Sequence, residues 1–287
     1  MSRKIATAFN KFYRNIKISK EYRKIAYQRK NEILPILKDK LNVVEFISTG
    51  SVPRNTALYK NADFDLIVVF DYGQKIKNIK PAEVLQSICE IFNDSDIKAT
   101  TNGQTVTLHY ETLPNIDITP ALKIFDNEKS IKTCNIPDST SKKWIQTKPN
   151  QHTRDMINEH LICGTSFRKI IMIVKHWNQM RGSYLQSYHI EVMALKIFHF
   201  KLENIAWEIF YYFEKAADLI SKPLWHEGIL VDSYLNPKNR FEIRTMMQND
   251  RDSLFAAWQK IQNIDSGYIE AFTIWKKIFG EKFPDCK

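Results

Sequence analysis

Asp63 and Asp65 alternate with Phe64 at the head of an apolar run, Leu66 to Phe70, and their types and spacing are those of a site that handles charge. A β-branched and aromatic run of this kind predicts a strand that starts polar and ends buried. Residues two apart on a strand point the same way, so both carboxylates face one side, about 6.6 Å apart along the axis. Like charges held together repel, and what relieves them is a shared cation with oxygen ligands, magnesium above all. Upstream, Val43 to Ser48 predicts a second strand running into Thr49, Gly50 and Ser51. Glycine lets the backbone approach a ligand closely there, and serine adds a hydroxyl and an N–H suited to phosphate oxygens.

A two-metal site needs a third acid from a neighbouring strand. Gln104 to Tyr110 alternates, with Val106, Leu108 and Tyr110 against Thr105, Thr107 and His109, and after Leu113 and Pro114 the chain continues from Asn115 to Pro120. Asp117 lies between Ile116 and Ile118, so its carboxylate faces away from an apolar surface. Three carboxylates suit two divalent ions about 3.5–4 Å apart, one activating a hydroxyl and one steadying a leaving pyrophosphate. Two Mg2+ ions are the expected cofactors, with Mn2+ as the substitute.

These residues resemble the signature of the nucleotidyltransferases of the DNA polymerase beta superfamily, a Gly-Ser turn followed by Asp-x-Asp and a distant single Asp. The resemblance implies catalytic and metal-binding roles for Asp63, Asp65 and Asp117, and nucleotide contacts for Gly50 and Ser51. Arg54, Asn55 and Thr56 stand where Arg-Gly-Thr is expected, a departure that bears on the shape of the turn.

The positioning elements follow from length and pattern. The 287 residues, 44% hydrophobic and 12% aromatic, are enough for two lobes with real cores. Residues 1–40 read as helical: Phe9, Phe12, Tyr13 and Ile16 form one stripe, Ser19 suits the cap of a second helix, and Pro35 predicts a kink or break. Residues 43–135 read as α/β, with a helix from Pro81 to Phe92 and strands near 97–100, 104–110, 115–119 and 130–135, a small mixed sheet covered on one side. The polar, proline-flanked stretch 135–150 reads as a crossover loop. The expected fold is α+β and bilobal: a nucleotidyltransferase lobe over 1–150, a helical nucleotide-binding lobe over 151–287, and a long N-terminal helix bracing both.

Charge and cysteines bound the partners. A formal net charge of +10 is compatible with nucleoside triphosphates, RNA or DNA, although the lysines form no dense block. Cys89, Cys134, Cys163 and Cys286 show no CxxC spacing, which fits reduced thiols in a cytoplasm. No apolar run reaches 18 residues, so no membrane partner is expected.

The second half resembles one branch of the superfamily. The apolar run from Phe167 ending in Lys175, His176 and Trp177 is similar to the Leu-x-Lys-x-Trp helix of oligoadenylate synthases and their bacterial relatives. That resemblance implies a triphosphate contact for Lys175, an edge residue otherwise expected to be solvated. Tyr184 to Leu195 resembles their Leu-Pro-x-Tyr-x-Leu-Glu-Leu-Leu motif. Ser187 is then either a helix N-cap or a phosphate contact, Tyr188 either interior packing or a platform for a base, and Glu191 a buttress. Leu230 to Asn239 looks like an element that walls the nucleotide pocket, with Asp232 and Asn239 either part of that wall or ordinary turn residues. Ile136, Pro137, Trp144, Thr147 and Pro149 resemble a stretch of the bacterial relatives of cyclic GMP-AMP synthase, with Lys148 where those have Asp.

The chain is thereby similar to the cGAS/DncV-like bacterial nucleotidyltransferases. The resemblance implies an enzyme that takes nucleoside triphosphates as donor and acceptor and makes a cyclic di- or trinucleotide second messenger in antiphage defence. A downstream effector would bind the product, and no nucleic acid would be required. The alternatives are an enzyme that tails tRNA or another RNA with the same acids, and a nucleotide-binding module without catalysis.

Overall fold

The computed structural model describes residues 3–59, 62–70, 79–123, 133–138, 143–148, 150–262 and 267–286. Its contacts divide the chain into two compact units, Ile18–Arg154 on the one hand and Met1–Lys17 with Asp155–Lys287 on the other.

The N-terminal helix is in fact two. Helix α1 (Arg3–Ile16) buries Ile5, Ala8, Phe9, Phe12 and Ile16 and belongs to the unit built from the C-terminal half. Helix α2 (Lys20–Lys40) begins where Ser19 caps it, accepting the N–H of Tyr22 at 3.0 Å, and belongs to the other unit. The expected single brace is therefore divided, because a side-chain cap at Ser19 starts a new helix one turn after the first ends. Pro35 does not break α2, which runs through it with Ile33 and Leu37 fully buried on either side. Tertiary burial of that stripe outweighs the missing hydrogen bond.

Strand β1 (Val43–Thr49) leads into the single-turn helix α3 (Ser51–Arg54), then β2 (Phe64–Phe70), α4 (Pro81–Ile91), β3 (Lys98–Asn102), β4 (Thr105–His109), β5 (Ile116–Lys123), β6 (Cys134–Pro137) and β7 (Trp144–Thr147). The sheet is mixed, in the order β1-β2-β5-β4-β3, with β6 on the far end of β5 and β7 on β6. Only the β2–β5 pair is parallel among the described strands. Of the expected strand at 130–135, residues 130–132 lie outside the described residues, and β6 occupies 134–137. The stretch expected as a crossover loop instead carries the ends of a strand pair, β6 and β7.

Alternation sorts the sheet into two faces. Phe64, Leu66, Val68 and Phe70 of β2, Ile116, Ile118 and Leu122 of β5, and Val106 and Leu108 of β4 pack with Ala26, Ile33 and Leu37 of α2 and with α4 in the main core. The opposite face holds only a small apolar cluster: Ile47, Ile67, Val69, Ala121 and Cys134. One face is covered and the other is left for polar side chains, as a half-buried mixed sheet requires.

The other unit is helical: α5 (Gln151–Cys163), in which the division falls, α6 (Ser166–Met180), α7 (Ser187–Ile197), α8 (Ile205–Ile220), the two-residue strands β8 (Trp225–His226) and β9 (Ile229–Leu230), α9 (Pro237–Lys260) and α10 (Gly267–Phe279). α9 starts at a cap, Asn236 accepting the N–H of Asn239 at 2.8 Å. α6 is buried nearly all round, from Phe167 to Asn178. Phe9 and Phe12 of α1 meet Trp275, Phe279 and Phe283 edge to face or tilted, at centroid distances of 5.0–5.4 Å. Such pairs add to area burial. Among the described residues no helix is long and apolar enough to cross a membrane.

Candidate active site

The pairing register decides where the acids point. Asp65 of β2 is opposite Asp117 of β5, with Thr49 of β1 opposite Asp65 and Thr107 of β4 opposite Asp117. Paired residues on neighbouring strands project from one face, about 4.8 Å apart. Asp65 and Asp117 thus stand side by side on the face turned away from the main core. Asp63 sits at the entry to β2, where its Oδ1 accepts the N–H of Asn115, the residue before β5, at 3.1 Å. Asn115 also gives its carbonyl to the N–H of Phe64 at 2.9 Å and its Oδ1 to the N–H of Tyr110 at 3.2 Å. One residue therefore ties the starts of β2 and β5 to the end of β4.

Asp117 is held by Thr107, whose hydroxyl donates to its Oδ1 at 2.6 Å. Burial pushes the Asp117 carboxyl above the usual carboxylate range; the Thr107 hydrogen bond pulls against this and the nearby charge of Asp63 adds to it. Gly50 turns from β1 into α3 with φ of 79°, and a Cβ there would lie 1.6 Å from Oδ2 of Asp65. The turn backbone lies against this acid so closely that only glycine fits. Ser51 opens α3, its carbonyl accepting the N–H of Thr56 at 3.0 Å. Asn55, where glycine is expected, takes the left-handed conformation itself, with φ of 61°, and its side-chain oxygen accepts from Arg23. Asparagine tolerates that conformation better than other side chains, so the turn keeps its shape.

The donor set suits a hard divalent cation, being three carboxylates of which one is further burdened by its neighbour's charge. In their present rotamers Asp63 and Asp117 each spend an oxygen on a protein donor, and among the described residues no three acidic, imidazole or thiol groups converge on one point. Each keeps its second oxygen for a cation.

The remaining candidates lie in the helical unit. Lys175 is not at an edge but 4% exposed, its Nζ 2.7 Å from Oε1 of the fully buried Glu191, so the pair joins α6 to α7. Ser187 is the first residue of α7 and exposed; the N-cap is Gln186, whose N–H donates to the Tyr234 hydroxyl at 2.8 Å. Tyr188 is half-buried, edge-on to His226 at 6.0 Å. Asp232 is buried, accepting from Arg240 Nη2 at 2.6 Å and from the N–H of Leu224 at 3.2 Å, and Asn239 lies in the first turn of α9. The two sets of candidates belong to different units, Gly50, Ser51 and the acids to one, Lys175, Ser187 and Tyr188 to the other.

The profile of the Second Messenger Oligonucleotide or Dinucleotide Synthetase domain, SMODS, matches residues 3–159, more than half of the chain. The chain belongs to the SMODS family. It is thus a nucleotidyltransferase by family. A curated relative from Bacillus cereus, named "Probable cyclic nucleotide synthase", is 23% identical, with 84% of this chain and 82% of that protein covered. Escherichia coli CdnC, solved with ATP, superposes with a TM-score of 0.73 at 16% identity over 97% of this chain and 98% of the other. Bradyrhizobium diazoefficiens CdnG, a CD-NTase solved with GTP, gives 0.71 at 12% identity over 96% and 98%. At such identities the solved structures establish a common fold.

In this SMODS chain the residues that sequence reasoning did not single out are Thr107 and Asn115, which hold acids, and Arg23, which holds Asn55 of the turn. Thr107 had a signal, a hydroxyl on the polar side of an alternating strand. Arg23 and Asn115 act across 32 and 52 residues of chain, and no local pattern marks them.

Proposed function

We propose that this SMODS protein is a metal-dependent enzyme that joins nucleoside triphosphates into a cyclic di- or trinucleotide, a second messenger of bacterial antiphage signalling read by a downstream effector. The observation that carries the reading is the register pairing of Asp65 with Asp117 beside Asp63, on the sheet face left free of the main core and against the Gly50 backbone. Asp63, Asp65 and Asp117 would hold divalent ions, magnesium or manganese, which supply charge neutralisation for the triphosphate and a more acidic acceptor hydroxyl. Backbone donors of the Gly50–Ser51 turn take the β- and γ-phosphate oxygens of the donor. Asp117, whose burial favours the protonated form, receives the proton of the acceptor 2′- or 3′-hydroxyl. That oxygen attacks the donor α-phosphorus in line, and the bond to the pyrophosphate oxygen breaks as the new one forms. A second round on the linear product closes the ring. Ser187 and Tyr188 contact phosphate and base, and Lys175, paired with Glu191, serves them by joining α6 to α7.

The relatives solved with ATP and with GTP support triphosphates as substrates. Asp63→Asn combined with Asp65→Asn is expected to melt as the parent does and to yield no labelled nucleotide product with Mg2+; full activity in that double variant refutes the reading. Product from triphosphates alone separates it from an RNA-tailing enzyme, which is silent without an RNA acceptor.

A further inference from the structure

The segment between α8 and α9 holds a buried polar network that the chemistry above leaves unused. Asp232, 3% exposed, is gripped by Arg240 and by the N–H of Leu224, while Nη1 of Arg240 donates to the carbonyl of Ile220 at 2.6 Å. Burial pushes the Asp232 carboxyl up, and the hydrogen bonds and charge of Arg240, with the Leu224 N–H, outweigh it and hold the carboxyl below its ordinary range. Further backbone bonds, Val231 N–H to the carbonyl of Leu224 at 2.8 Å and Leu235 N–H to that of Asp232 at 3.0 Å, fix the loop on both sides of Tyr234.

Tyr234 is what this anchored loop presents to α7. Its hydroxyl accepts the N–H of Gln186 at 2.8 Å and lies 2.9 Å from Nδ1 of the fully buried His189. The Tyr234 hydroxyl thus bridges the entry of α7 and the His189 ring. No side chain caps α7, and the Tyr234 hydroxyl takes the amide of the N-cap residue Gln186, which has no partner within the helix. The same segment meets that turn again, with the His226 ring edge-on to Tyr188.

We infer that Tyr234 is a positioning residue for nucleotide binding: its hydroxyl fixes the first turn of α7 and so sets the placement of Ser187 and Tyr188. The inference rests on the proposed nucleotide contacts of those two residues, and the test separates the two failures. The affinity of α,β-methylene ATP with Mg2+ is measured by calorimetry for the full chain, for Tyr234→Phe and for Ser187→Ala, beside their melting temperatures. Tyr234→Phe is expected to weaken binding about fivefold, the worth of one hydrogen bond, and to raise KM for ATP with kcat nearly unchanged. A purely structural role would lower the melting temperature and leave affinity and KM alone, and that result overturns the inference. If Ser187→Ala also binds normally, the reading of α7 falls and the inference with it. If Ser187→Ala weakens binding and Tyr234→Phe does not, the inference alone falls. Should Tyr234→Phe fail to fold, amide exchange in the parent chain decides: the Gln186 amide is expected to exchange more slowly once the analogue is bound, and unchanged exchange overturns the inference.

Discussion

Replacing Gly50 by alanine probes the contact between the β1–α3 turn and Asp65. The new Cβ would lie 1.6 Å from Oδ2 and 2.4 Å from Cγ of Asp65. Ordinary contact needs about 3.5 Å, so the carboxylate must retreat by roughly 2 Å. Misplacement of a reacting group by about 1 Å costs on the order of 100-fold in rate, and Gly50→Ala is therefore expected to lose at least about 100-fold in product formation. The stability cost is smaller. With ψ of −169° beside φ of 79°, Gly50 sits in a region that side chains rarely adopt, at about 1–3 kcal/mol, and Asp65 is half-buried. For a chain of this size that corresponds to a melting temperature lower by roughly 2–12 °C. The assay is mass analysis of products from each triphosphate with Mg2+, beside a melting curve. A folded Gly50→Ala variant making product at the parent's rate would refute the reasoning, since Asp65 would then tolerate displacement from Asp117.

Three further outcomes follow from named contacts. Thr107→Val, which keeps shape and removes the donor to Asp117, should cost about 1 kcal/mol of stability and slow product formation, while Thr107→Ser restores both; equal rates in all three chains would dismiss the hydrogen bond. Glu191→Ala removes the carboxylate facing the buried Lys175 and should cost about 3–5 kcal/mol in urea unfolding, with Lys175→Met plus Glu191→Leu costing less than the single change; the reverse ranking would refute a buried ion pair. Burial holds the His189 imidazole down to about 4, below its ordinary 6.5, so the fold keeps it neutral. Its contribution is complete above pH 6.5 and is lost as pH falls from there towards 4, about 3 kcal/mol in all. His189→Phe should flatten the pH dependence of unfolding between 6.5 and 4, and an unchanged slope would show that His189 titrates freely.

Much of the scaffold was legible from local pattern. The alternation around Asp63 to Phe70 and over 104–110, the Ser19 cap and the Pro81 start of α4 each follow from the few residues around them. Pro35 misled because propensity is weaker than the burial of Ile33 and Leu37. Ser187 misled by one position, since serine favours a cap without excluding the first helical turn, and the loop carrying Tyr234 sets where α7 begins. Lys175 misled because a lysine beside an apolar stripe is ordinarily solvated, and only a carboxylate sixteen residues on, reached through the packing of α6 on α7, lets it be buried.

The order of residues alone determined the mixed α+β class and the side of Asp65 and Asp117 away from their apolar neighbours, because strand and helix periods are properties of neighbours along the chain. Tertiary structure decided that β2 lies parallel to β5 with Asp65 against Asp117, that Asp65 fills the space a side chain at Gly50 would need, and that Thr107 and Asn115 are the donors the acids meet. Register and hydrogen-bond partners across strands are set by contacts between segments far apart in sequence, and a one-residue slip would have turned Asp117 into the core.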